Sequence, residues 1–372
     1  MEACPTYLPE ARPTYAWKFA NSSLDTARSF ASSYPTNRTD MILATFVHDL
    51  DPILAGIGPV YLWLYGLSYA LGFLQIHLYL RRERGRLGLT RTEVQALSLS
   101  VALGVLVGGR LVEVAFDEWA FYRGHPSLIP ALWLGGMATH GLLLGAAAGT
   151  LLFVRLSRKR FLELADALVV PGALLMGLGR IGNFIDGQIV GGVTDVWWAV
   201  EFPDATGARH PVVLYDAAKN LLLVPYLLRV RRTNPTPGAT AARFVFWYAF
   251  PRIFIDLFRD YPTHRLALGT GQTLNIVMTL VGIVLLIRSR LRRLGRLAPR
   301  RPVTTRAAGG NPDAPAPIVL RLAFAAVLVF CLTIPSNWTQ DVPARYGKRR
   351  VGLERSVLYP QIDTAPPGTL QP

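Results

Sequence analysis

The chain has 372 residues, 51% of them hydrophobic and only 17% charged, with a formal net charge of +15. Soluble domains carry about 25% charged residues, so this composition, with a mean hydropathy of +0.30, argues against a chain wholly surrounded by water. A basic excess fits nucleic acid, anionic lipid or the cytoplasmic loops of a membrane protein; the long apolar runs decide against nucleic acid.

Residues 1–47 read as an N-terminal tail, solvated or surface-lying, and residues 1–40 carry prolines and charges throughout and lack the apolar core segment of a signal peptide. Runs suited to spanning the bilayer, which takes about 20 apolar residues, then fall at 57–80, 94–116, 129–154, 161–185, 212–228, 244–258 (a short one) and 268–287. Basic clusters follow the first, third, fifth and seventh runs, at 81–91, 155–160, 229–232 and 288–301. The intervening loops carry Asp117, Glu118, Asp195, Glu201 and Asp204 instead. The positive-inside rule then predicts an all-α polytopic membrane protein with seven transmembrane helices, basic loops in the cytoplasm and the N-terminus outside. The predicted core is 48–301, followed by a flexible linker at 302–317. An eighth apolar segment at 318–335 contains Arg321 and either spans the membrane or lies at its interface. Residues 336–372 form a C-terminal tail. Cys4 and Cys331 read as two unpaired thiols or as one bridge between the tails, and their spacing suits no metal.

Charged groups at membrane depth are costly and mark an interior or a wet cavity. That rule selects Arg110 and Glu113 in the second run, His140 in the third, Arg180 with Asn183 in the fourth, and Arg252, Asp256 and Arg259 in the sixth. Arg110–Glu113 and Arg252–Asp256 are spaced to neutralise each other on a helix, and His140 alone reads either as a buried histidine or as a base. The positive groups outnumber the negative ones, so the surplus arginines need an anion. A guanidinium pairs phosphate bidentately, and phosphate inside a membrane belongs to a phospholipid head group. Gly177, Gly179, Gly182 and Gly187 around Arg180 allow close approach or a helix break lining a cavity.

The segment GRIGNFIDGQIVG at 179–191 resembles the signature of the prolipoprotein diacylglyceryl transferase family. Further similar segments follow the family's order: 48–73 with Tyr65–Gly66, 104–116 with Gly109–Arg110, 133–145 with Gly135, Gly136 and His140, 209–220, 247–262 and 268–282. The resemblance covers about 48–290 and implies a bacterial inner-membrane enzyme. Its donor would be phosphatidylglycerol and its acceptor the lipobox cysteine of a prolipoprotein. Such an enzyme is expected to act as a monomer within the bilayer, with no metal, nucleotide or nucleic acid.

Carried onto matching positions, the resemblance makes His140, Arg180 and Arg252 the expected catalytic residues. Tyr65 and Asn183 would hydrogen-bond the glyceryl or phosphate oxygens. Tyr248 and Arg259 would support or gate the site, Gly135 would allow close packing near His140, and Arg110 and Asp256 would complete the substrate-binding set. The chain departs from the family at Asp186 and Gln188, where Asn and Glu are usual, and at Thr139, Leu142, Val212–Val213 and Asp256. These departures leave open a relative that binds phospholipid without transferring it. A transporter with an arginine-lined anion path is a third reading; it predicts internal repeats, and the helix signatures differ from one another.

Overall fold

The computed structural model describes residues 45–203, 205–234, 236–260, 270–295, 313–338 and 358–359. The expectations for residues 1–44, Cys4 and most of the linker and C-terminal tail lie outside the described residues. The chain is mostly helical: α1 Leu64–Leu87, α2 Arg91–Val112, α3 Thr139–Ser157, α4 Phe161–Ile185, α5 Val212–Thr233, α6 Ala239–Ile255, α7 Thr270–Arg293 and α8 Ile318–Cys331. Among the described residues, four segments, Arg91–Asp117, Thr139–Ser157, Phe161–Ile185 and Gly271–Arg293, are long and apolar enough to cross a membrane.

The fourth run coincides with α4 at both ends, but two others begin later than hydropathy predicts. Residues 53–63 are a β-hairpin, β1 Ile53–Ile57 and β2 Val60–Trp63, turned at Gly58 with φ 59°. Valine, tyrosine and tryptophan favour a strand there, and a left-handed glycine closes the turn. The third run opens with short 3₁₀ turns at Pro126–Leu128 and Leu132–Leu134, and Gly135 and Gly136 at φ 73° and 69° delay the helix until Thr139. A second small sheet joins Phe46–Val47, Val200–Glu201 and Ala208–Arg209. These sheets are the part of the architecture that an all-helical expectation does not contain.

Helices α2 and α3 pack along a glycine seam. Gly104 and Gly108 of α2 face Gly141, Gly145 and Gly149 of α3, and a Cβ on Gly145 would lie 1.9 Å from the Gly104 carbonyl oxygen. Small residues at four-residue spacing bring membrane helices together by backbone packing, since lipid offers no hydrophobic drive between them. Away from the seam, Leu144, Leu152 and Leu222 project outward and are exposed, as lipid-facing positions require.

Helix ends are tied by side chains. Thr90 and Glu93 form a capping box at the start of α2. Asp166 of α4 accepts the N–H groups of Gly238 and Ala241, both at 2.7 Å, and so caps α6 from another helix. The basic ends interlock through Arg231–Glu83 at 2.9 Å and Lys159–Glu93 at 3.1 Å.

Helix α8 runs along α1. Asp313 before it pairs with Arg84 in the last turn of α1. At its other end, the Leu332 carbonyl accepts the N–H of Trp63, the residue preceding α1. A Cβ on Gly66 would sit 2.1 Å from the Cys331 carbonyl oxygen, so this glycine sets the approach. The segment then continues beneath an aromatic cluster of Trp63, Trp338 and Tyr359.

The seam yields a prediction. Gly145→Leu forces the α2–α3 backbones apart and should cost about 1–3 kcal/mol, read as a lower melting temperature in detergent. Gly172→Ala, where a Cβ meets nothing within 4 Å, should melt as the parent does.

Candidate active site

The polar residues of the helices converge on Asp216 of α5, whose side chain is 4% exposed. Arg180 of α4 donates its Nε–H to Asp216 Oδ2 at 2.6 Å. Arg252 of α6 donates Nη1–H to the same oxygen, and Lys219 Nζ lies 2.8 Å from Oδ1. One carboxylate therefore holds three cations, and the group keeps a net charge of +2 (three positive, one negative). Asp256 lies further off, 3.9 Å from Arg252 Nε.

Arg180 is fixed on three sides. Its Nη1 donates to Asn183 Oδ1 at 3.2 Å and its Nη2 to Thr139 Oγ1 at 2.8 Å. A guanidinium has five N–H groups, so these bonds orient the fork and leave donors for a ligand.

A second chain leads to His140. Asn275 of α7, fully buried, donates Nδ2–H to Asp256 Oδ2 at 2.8 Å, and its Oδ1 lies 3.1 Å from His140 Nε2. The carboxylate accepts from the amide nitrogen, so the amide oxygen faces the imidazole. His140 Nε2 then carries the hydrogen, and Nδ1 is the nitrogen that can take a proton.

Of these groups, Arg180, Arg252, Asn183, Thr139 and His140 line a cavity of about 750 Å³. Its wall holds Tyr65, His140, Arg180, Asn183, Arg252 and Arg259 of the predicted set, together with apolar groups such as Leu142, Leu175 and Met176. Tyr65 Oη is 3.0 Å from Tyr69 Oη. Arg209 and Arg259 stand with Asp260 among the lining residues, and Arg209 pairs with Asp260 at 3.0 Å. Ile189, a β-branched residue at φ 61°, also lines it; such a backbone is strained, and strain of this kind collects at functional sites.

Four predicted residues lie outside that wall. Arg110 donates to the carbonyls of Ile129, Gly135 and Leu128 at 3.0, 2.6 and 2.9 Å and stacks over Tyr122, fastening the loop before α3 to α2. Tyr248 is fully buried beneath Lys219 Nζ, 4.1 Å from its ring centre, and its carbonyl accepts from the same ammonium. Asp256 acts through Asn275. Gly135 abuts the carbonyl oxygens of Pro335 and Ser336 rather than a group beside His140.

Asp216, Lys219, Asn275 and Ser336 escape the sequence analysis. Asp216 was findable, being a charge within an apolar run, but its i,i+3 spacing to Lys219 reads as a self-neutral pair. Asp216 and Lys219 cancel in charge, so together they leave the positive surplus of Arg180 and Arg252 unchanged. Replacing Asp216 with Asn should leave three buried cations without their carboxylate. The expected loss is about 3–5 kcal/mol in stability, together with failure of the site, and a thermal melt equal to the parent's would contradict that role.

Compared with known proteins, residues 52–288 match the family model for prolipoprotein diacylglyceryl transferase. Proteins named phosphatidylglycerol–prolipoprotein diacylglyceryl transferase are similar to it in several bacteria. The Geobacter sulfurreducens protein is 35% identical over 255 residues, covering 66% of this chain and 98% of the relative. The Aromatoleum aromaticum protein is 39% identical over 258 residues, covering 64% and 96%. The Pasteurella multocida protein is 35% identical over 249 residues, covering 64% and 91%. With more than half of its length matched in one continuous block, the chain belongs to the prolipoprotein diacylglyceryl transferase family.

Proposed function

We propose that this chain transfers the diacylglyceryl group of phosphatidylglycerol to the lipobox cysteine thiol of prolipoproteins. The observation that carries the reading is the pair Arg180–Arg252, converging on Asp216 at a cavity that also holds His140. The thiolate sulfur forms a bond to the terminal glyceryl carbon, and the bond from that carbon to the phosphate ester oxygen breaks. The products are a thioether and glycerol phosphate, which leaves with the electron pair.

Each part of that reaction has a candidate group. Negative charge on the departing phosphate is stabilised by fixed cations at a site shielded from water, which is usually the largest catalytic contribution. Arg180 and Arg252 supply it, already oriented by Asp216, so little reorganisation accompanies reaction. Thiols are mostly protonated at neutral pH, and His140 Nδ1 takes the proton as general base. Asn183 and Tyr65 orient the glyceryl portion. Arg259 supports the mouth and Tyr248 backs the Lys219–Asp216 group, while Arg110, Asp256 and Gly135 hold the surrounding elements in place.

The same reading gives the topology. Helices α1–α7 cross the bacterial inner membrane with the N-terminus outside, because the basic clusters follow α1, α3, α5 and α7. Residues 48–301 form the transferase core, and the chain acts as a monomer. Helix α8 is an eighth crossing, supported by its contacts with both ends of α1. The tail 1–47 joins the core at Phe46–Val47, the linker is 302–317, and the C-terminal tail 336–372 begins with residues bonded to the core at Ser336–Trp338.

Purified protein, phosphatidylglycerol and a lipobox peptide should yield a diacylglyceryl thioether by mass spectrometry. Arg180→Ala should abolish the product while insertion stays intact; substantial product from that variant would remove the phosphate-site assignment. His140→Gln should slow turnover by about 10²-fold or more if His140 is the base. Near-normal turnover would instead favour thiolate formation by the arginines alone.

A further inference from the structure

The segment after α8 reaches the cavity wall from outside the family match, which ends at residue 288. It is held there by main chain. Gly136 N–H donates to the Ser336 carbonyl at 2.9 Å, and Trp338 N–H donates to the Leu134 carbonyl at 2.8 Å. Ser336 N–H donates to Asp186 Oδ2 at 3.1 Å, and Asn337 Nδ2 to Glu118 Oε1 at 2.6 Å. Gly135 admits the segment: at φ 73°, a Cβ on it would lie 2.3 Å from the Pro335 carbonyl oxygen. The segment thus makes a single antiparallel bridge, Gly135 opposite Asn337, with the turn that leads into α3 and His140.

We propose that Ser336 is a positioning residue of the lipid site, contributed by an element beyond the family core and acting on Arg180 through Asn183. Its hydroxyl, on a residue 4% exposed, accepts from Asn183 Nδ2 at 2.8 Å and donates to Gln188 Oε1. A hydroxyl has one hydrogen. With Asn183 donating to it, that hydrogen goes to Gln188, and the Asn183 amide is locked with Oδ1 toward Arg180 Nη1. The hydrogen-bond chain Arg180–Asn183–Ser336–Gln188 then has one direction, and it sets the plane of the guanidinium that meets phosphate. Gln188 is the terminal acceptor of that chain, and the C-terminal segment supplies the hydroxyl that donates to it.

The inference rests on the transferase reading for its consequence, so the test has one arm that needs no turnover. Full-length parent, Ser336→Ala, Ser336→Thr, Gln188→Leu and the Ser336→Ala/Gln188→Leu pair are reconstituted in nanodiscs. Phosphatidylglycerol binding, transfer kinetics and melting temperature are then measured. Ser336→Ala should weaken phosphatidylglycerol binding and lower kcat/KM by about tenfold, the cost of a buried polar group left without its partner. Ser336→Thr keeps the hydroxyl and should stay within about twofold of the parent. Gln188→Leu should give the Ser336→Ala defect, and the pair no more than either alone, because both changes remove the Ser336–Gln188 bond and so interrupt the same chain. Parent-like lipid binding in Ser336→Ala, or an equal defect in Ser336→Thr, would overturn the proposal. So would strictly additive losses in the pair. A parent that binds phosphatidylglycerol but forms no thioether would reject the transfer reading, and the binding comparison would still decide the role of Ser336.

Discussion

A single carboxylate organises the interior. Asp216 draws Arg180 and Arg252 from two other helices and Lys219 from its own, at a depth where none of these charges could stand alone. Removing ions from water is expensive, and attraction between them compensates only with good geometry. Here the partial compensation is the functional point. One negative charge collects three positive ones, and two of these, Arg180 and Arg252, line the cavity proposed here to receive an anionic lipid head group. Were the group neutral, it would hold the helices but attract no phosphate. Without Asp216, the arginines would repel each other and lose their orientation.

Backbone contacts hold that group in register. The glycine seam between α2 and α3 sets the position of Thr139 and His140, the first residues of α3. Arg110 fastens the preceding loop to α2 through three carbonyls, so a charge selected as a substrate ligand serves here as a clamp. The Asp166 cap fixes the start of α6, the helix that carries Arg252. Stability and chemistry are therefore coupled along the same elements, from glycine spacing through helix register to guanidinium placement.

Much of this was legible in the residues, and the gaps have physical causes. Helix α4 was read at both ends because its apolar run is bounded by a basic cluster and by Asp186–Gly187. The starts of α1 and α3 were missed because hydropathy cannot distinguish a β-hairpin or glycine turns from helix; left-handed glycines at 58, 135 and 136 make the difference. His140, Arg180, Asn183 and Arg252 were visible as polar groups in apolar runs. Asp216 follows from the same rule but was masked by Lys219 one turn along. Asn275 and Ser336 carry no charge, and their roles depend on contacts between distant parts of the chain, which no local pattern encodes.

The central claim is that Arg180 and Arg252 form a phosphate site presented by Asp216. The most direct measurement is an experimental structure of the full chain in nanodiscs rich in phosphatidylglycerol. The account predicts lipid density in the cavity, with phosphate oxygens about 3 Å from both guanidinium groups and the glyceryl carbon facing the side lined by His140. Phosphate bound elsewhere, with both arginines still wholly engaged by protein groups, would contradict it.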